Sequence, residues 1–242
     1  MMKGRKRWWI LGSFLALMGF MSIPEYRHVN KGDSISAGSV RDGKLINGWL
    51  VPYSGPNFNY FSWFSYYILD NAYVHQQINQ TIMDAYRACE VTCPDTKFTL
   101  MECTRKNGGR MLIHWTHQNG TSVDFMAPVI TRDQSPSMSR HLGLFHYLLQ
   151  FDTSGKLQLS GGSQIDFEMM ARHILAIDDA ARHHGLYIYK ILFNTNLVDE
   201  LYATPSGQQI QERGIRIIPH VSDLVNRYHD DHYHIDFGFE KN

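Results

Sequence analysis

Apolar residues recur along this chain at two spacings, and the switches between them mark its elements. Val74, Ile78, Ile82, Ala85 and Tyr86 return every three to four positions, which predicts a helix over 73–89. A second helix is better delimited. Ser163 with Asp166 makes a capping box, Phe167, Met170, Ala171, Ile174, Ile177 and Ala181 line one face, and Gly185 supplies a C-terminal stop. Residues 186–193, mostly β-branched, aromatic or long aliphatic, predict a strand, as do the β-formers around Phe98 and Leu100 over 97–104. After the turn at Asn119–Gly120, residues 121–126 alternate, so that Val123 and Phe125 face the core and Ser122, Asp124 and Met126 share the other face. Near the end of the chain His232, His234 and Asp236 share one strand face, with Tyr233, Ile235 and Phe237 packing behind. Strands and helices mix without regular alternation, which favours an α+β fold over a doubly wound sheet.

The first residues break this pattern. Lys3, Arg5, Lys6 and Arg7 precede an uninterrupted run, Trp8 to Met21, that carries no charge. A basic stretch followed by such a run is the form of an export segment. Phe20, Met21 and Ser22 make a poor cleavage site, so residues 1–22 are expected to be either a removed signal peptide or an inner-membrane anchor. The run is short against the roughly 20 residues that span a bilayer, although Ile23 extends it.

Residues 23–59, rich in Gly, Ser, Asn and Pro, read as an extended arm with a hairpin at Arg41–Asp42–Gly43. Residues 60–242 then form the main domain; the whole chain, at 242 residues and 43% hydrophobic content, is long enough for one sizeable core. Its aromatic opening, with Tyr60, Phe61, Trp63, Phe64, Tyr66 and Tyr67, is expected to pack the core before it docks anything.

Lys+Arg and Asp+Glu both number 23, leaving no basic footprint for nucleic acid. Three cysteines, Cys89, Cys93 and Cys103, allow one disulfide and one leftover thiol in an oxidising compartment. The compositional oddity is the 13 histidines, because imidazole is both the commonest metal ligand and the side chain that titrates nearest neutrality.

Two segments far apart in the chain concentrate that chemistry. In the first, His114 and His117 precede the turn and Asp124 follows it on the strand, so that His117 can fold back to share one cation with Asp124. In the second, His229–Asp230–Asp231–His232–Tyr233–His234 puts two imidazoles on one strand face about 7 Å apart. One can ligate a metal while the other handles protons beside it. Two histidines and a carboxylate leave a fourth position open, as catalytic rather than structural zinc does.

HxxxxxxD followed far downstream by HxH resembles the signature of the LAS metallopeptidases. Gly108–Gly109–Arg110, HxxHQNGTSVDF and HDDHYHIDF resemble more narrowly the penicillin-insensitive murein endopeptidase branch, over roughly residues 98–237. The resemblance implies an antiparallel sheet with flanking helices. It makes His117, Asp124 and His234 the zinc ligands and His232 the catalytic histidine, and it marks His114 as a further active-site histidine. The implied substrate is the peptide part of peptidoglycan, cut in the periplasm, with zinc polarising the scissile carbonyl and His232 assisting proton transfer or stabilising the oxyanion. Arg105 or Arg110 could recognise a peptide carboxylate. A D,D-carboxypeptidase on the same substrate and a non-catalytic peptidoglycan-binding scaffold are the alternatives. The segment 132–162 is longer or differently arranged than in the simplest members.

Overall fold

A computed structural model describes residues 2–111, 114–158 and 162–240. Met1 of the expected export segment, Leu112 and Ile113 beside the first histidine motif, and 159–161 of the 132–162 segment lie outside them. Helix α1 (Met2–Met21) opens the chain with Trp8, Trp9, Phe14, Leu15 and Phe20 exposed. No helix among the described residues is long and apolar enough to cross a membrane.

After the single turn of α2 (Ile23–Tyr26), strands β1 (Ile35–Gly38) and β2 (Gly43–Ile46) form the hairpin expected around Arg41–Asp42. Strand β3 (Trp49–Leu50), strand β4 (Phe58–Tyr60), helix α3 (Trp63–Tyr67) and strand β5 (Tyr73–Val74) follow. Leu45, Leu50, Val51 and Phe58 bury their side chains in the main core, β3 pairs with β5, and a domain boundary at residue 59 falls inside β4. The apolar positions of 45–58 are few, but each meets the core, which is why a polar-rich stretch docks rather than trails. Most of the aromatic cluster packs as well: Tyr60 Oη donates to the Asn71 carbonyl at 2.7 Å and Tyr66 Oη to that of Val51 at 2.6 Å, while Trp63 and Phe64 stay partly exposed.

Helix α4 (Gln76–Thr92) starts later than its periodicity predicts, because Tyr73 and Val74 bond β3 and His75 caps the helix by accepting from Gln77 N. Strand β6 (Phe98–Leu100) is shorter than expected, since the backbone of Met101 and Cys103 bonds Asp124 and Asn71. Then come β7 (Ser122–Met126), β8 (Val129–Ile130), two 3-10 turns (Met138–His141 and Gly143–Leu148) and β9 (Gln164–Ile165), which pairs with β8. Helix α5 (Phe167–His183) is capped by Asp166 alone, whose carboxylate accepts from Met169 N at 3.1 Å. Residues 164–165 form β9, so the helix starts after Asp166 rather than after Ser163 as expected from sequence. Gly185 ends the helix at φ +70, and β10 (Leu186–Leu192) follows. A 3-10 turn (Thr195–Leu197), α6 (Val198–Tyr202), α7 (Pro205–Glu212) and α8 (Asp223–Arg227) lead to β11 (His232–Phe239).

The largest sheet among the described residues has the order β10-β11-β7-β6-β4, antiparallel except for the parallel β4–β6 edge. With its smaller sheets and flanking helices the chain is α+β. One face of this sheet packs against α4 and α5. There the His173 ring of α5 stacks on Tyr86 of α4 and Phe98 of β6, with centroids 5.0 and 4.6 Å away, and hydrogen-bonds the Tyr233 hydroxyl of β11. Burying an apolar ring such as Phe98 is worth roughly 1.5–3 kcal/mol, which fixes the sheet and leaves its opposite face to polar residues.

The three cysteines are unbridged. Cys89 and Cys93 lie one turn apart at the end of α4, the Thr92 hydroxyl contacts the Cys93 sulfur at 3.7 Å, and the Cys103 thiol contacts the Met101 carbonyl at 3.7 Å. All three are buried, so the disulfide expected from their number is replaced by thiols filling core space.

Candidate metal centre

Register between β7 and β11 builds the site. Ser122 lies opposite Asp236, Asp124 opposite His234, and Met126 opposite His232, so the polar faces of the two strands meet across one ladder. Asp124 Oδ1 accepts from His234 Nδ1 at 2.8 Å, and His234 Nε2 donates to Asp236 Oδ1 at 2.8 Å. Asp236 is itself held by the Ser122 hydroxyl at 2.5 Å and by Lys190 Nζ of β10 at 3.1 Å. Burial opposes a charge on His234, but the Asp236 and Asp124 carboxylates overcome it and push the imidazole up to about 10. Burial likewise disfavours the Asp124 carboxylate, yet His117 and His234 hold it well below the usual range.

His117 reaches the same carboxylate from the loop before β7, with φ +69. A positive φ is unfavourable for an imidazole-bearing residue, and the surrounding loop enforces it. Gly109 N donates to the Gln118 carbonyl at 2.9 Å and Gln118 N to that of Val40 at 3.1 Å. At Gly108, whose φ is +72, a Cβ would stand 2.3 Å from the Gln118 carbonyl oxygen and 2.5 Å from Leu45 N, so only glycine lets these strands of backbone meet. His117 Nε2 lies 3.3 Å from Asp124 Oδ1, but the angles are wrong for a hydrogen bond. Neither ring nitrogen of this fully buried histidine has a hydrogen-bond partner among the described residues. A buried polar group left so costs about 1–3 kcal/mol, a penalty that a ligated cation removes.

His114 stands on the far side of Asp124, its Nδ1 3.7 Å from Oδ2 and its Nε2 3.2 Å from the Tyr147 hydroxyl. Burial drives this imidazole down to about 3 despite the nearby Asp124 carboxylate, so it is neutral at physiological pH. Donor atoms of His114, His117 and Asp124 lie within 4.8 Å of one another. Glu102 Oε1 is 4.0 Å from His114 Nε2, and burial, followed by repulsion from Asp124, raises its carboxyl well above the usual range.

His232 stands apart from that donor group. Its Nδ1 is 2.8 Å from Asp231 Oδ1, and the other oxygen of Asp231 is 2.8 Å from Nδ1 of His146, in the 3-10 turn Gly143–Leu148. Burial disfavours the Asp231 carboxylate, but these two imidazoles hold its pKa down at about 2. The His229 ring lies 4.9 Å from that of His232, and burial lowers its pKa to about 4.

The expected ligands His117, Asp124 and His234 thus converge on one carboxylate oxygen, His114 joins them, and His232 stands alongside on its own carboxylate. Sequence reasoning gave no role to Asp231, Glu102, His146 or Tyr147. Asp231 was signalled by its place inside the histidine motif, whereas His146 and Tyr147 belong to no periodic or spaced pattern. Arg105 and Arg110 are exposed, and among the described residues neither forms a side-chain hydrogen bond or ion pair with these residues. No protein-family model matches the chain, and no curated protein matches it either.

Proposed function

We propose that this protein is an exported zinc peptidase of the penicillin-insensitive murein endopeptidase branch of the LAS group, with that group's fold, cutting peptide cross-links of peptidoglycan. The observation that carries it is the convergence of His117 Nε2 and His234 Nδ1 on Asp124 Oδ1, with His234 Nε2 already held by Asp236. A histidine whose second nitrogen is bonded to a carboxylate is the usual form of a metal-ligating imidazole. To hold zinc, His234 would give up its Nδ1 proton, and two histidines with one carboxylate are the donor set of an open, catalytic zinc site.

His117, Asp124 and His234 hold the metal, and His114 lies within reach as a neutral neighbour. Zinc in this position lowers the pKa of water and polarises a carbonyl. His232, its Nδ1 fixed by Asp231, keeps Nε2 for the reacting atoms, where it passes a proton toward the leaving amine or faces the developing oxyanion. The basic residues and apolar run at the start of α1 support export and a periplasmic location, with membrane attachment through the same segment if it is retained.

The test is digestion of purified cross-linked muropeptides, with zinc, with chelator, and with His234→Ala. Metal-dependent conversion of dimers to monomers by the parent alone is expected. Release of terminal D-Ala with dimers intact points instead to a D,D-carboxypeptidase, and bound zinc without turnover points to a scaffold.

A further inference from the structure

We infer that His146 is a positioning residue for His232, acting through the carboxylate of Asp231; the inference rests on the peptidase function proposed above. The 3-10 turn Gly143–Leu148 inverts the ordinary order of burial. Phe145 and Leu148 are 70% and 63% exposed, while His146 between them is 0% exposed. Hydrophobicity alone would turn this segment the other way, since apolar rings gain from burial and an imidazole loses its water. What holds the histidine inside is specific. Its Nδ1 meets Asp231 Oδ2 at 2.8 Å, the Phe61 ring stands edge-on at 5.6 Å, and the adjacent Tyr147 ring packs at 3.9 Å.

Asp231 is 3% exposed and has each of its two oxygens committed to one imidazole. Its backbone is fixed as well, the carbonyl accepting from Ala127 N at 2.9 Å. With Oδ2 engaged by His146, the carboxylate cannot rotate away from His232, and Oδ1 stays aimed at His232 Nδ1. That bond sets the ring orientation of His232 and the nitrogen it leaves free, which is what an acid–base histidine needs from its partner. The segment between β8 and β9 therefore supplies more than a covering loop: it completes the support of the reacting histidine from outside the motif that contains it.

The experiment compares full-length His146→Leu, His146→Asn and His146→Gln with the parent for kcat, KM and bound zinc on cross-linked muropeptides. Leucine fills the space without a donor, asparagine presents an N–H near the place of Nδ1, and glutamine presents one near Nε2, away from Asp231. The leucine variant is expected to keep its zinc and KM and to lose roughly 10–100-fold in kcat, with asparagine recovering most of that loss and glutamine little of it. Parental kcat in the leucine variant, zinc loss in step with activity, or equal rates for the asparagine and glutamine variants overturns the inference. Should the leucine variant not fold, the asparagine and glutamine pair decides alone. A parent that binds zinc and leaves dimers whole overturns the peptidase function and this inference with it, an outcome distinct from a parent and a leucine variant that cleave equally fast.

Discussion

Asp124 and His234 stand directly across the β7–β11 ladder from each other and share a 2.8 Å hydrogen bond through Oδ1 and Nδ1. Because His117 Nε2 approaches the same oxygen at 3.3 Å, one carboxylate organises two imidazoles that arrive from different parts of the chain. Its removal therefore separates the metal site from the fold that carries it.

Asp124→Asn keeps the shape of the side chain and removes its charge. The variant is expected to lose stoichiometric zinc after dialysis against buffer, measured by atomic emission, and its muropeptide hydrolysis is expected to fall to the level of the chelated parent. One tightly held zinc per chain in the variant would shift the ligand set to the histidines alone.

Zinc should also stabilise the folded protein, because its ligands converge only there. At a free concentration a hundred times Kd the gain is about 2.7 kcal/mol, seen as a rise in Tm by calorimetry on adding zinc to chelator-treated protein. His117→Ala should show no such rise, and a rise equal to the parent's would exclude His117 from the site.

Gly108→Ala tests the loop that holds His117 at positive φ. A Cβ there meets the Gln118 carbonyl and Leu45 N, both backbone atoms that cannot swing aside. Urea denaturation of the metal-free protein is expected to show a loss of about 1–3 kcal/mol, accompanied by weaker zinc binding. Unchanged stability would mean that the loop relaxes without disturbing β2.

His173 governs part of the acid limb of stability. Burial lowers its pKa from the usual 6.5 to about 3, so between those values the unfolded chain takes up a proton that the folded one refuses. Its effect is absent above pH 6.5, and stability falls as pH drops toward 3 by up to roughly 1.4 kcal/mol per pH unit. Replacing both partners, His173→Phe with Tyr233→Phe, removes the hydrogen-bonding pair together and should give a shallower acid limb than the parent by urea titration across this range. Identical slopes would refute the assignment.

The strands that carry the site were legible because their chemistry and their period coincide. Alternation in 121–126 and 232–237 told which residues share a face, and the structure pairs those same faces as Asp124 with His234 and Ser122 with Asp236. Helix α5 was legible for a similar reason, its apolar stripe ending at a glycine. The hairpin and β3 were harder to place, since short apolar pieces in a polar stretch say nothing of the surface they meet. His146 left no trace at all: its partner lies 85 positions away, and an imidazole among exposed aromatic residues looks like surface until the backbone is known to turn it inward.

Strand β11 follows every other described element in the chain, yet it lies between β10 and β7 in the main sheet. Its hydrogen bond with Asp124 spans 110 positions, so a long loop must close before the pair can form. Until that strand slides into its slot, Asp124 lacks His234, and His232 is not yet seated beside it. The donor group of Asp124 and His234 therefore exists only in a chain whose main sheet is complete, and in a protein exported as proposed above it would assemble after translocation.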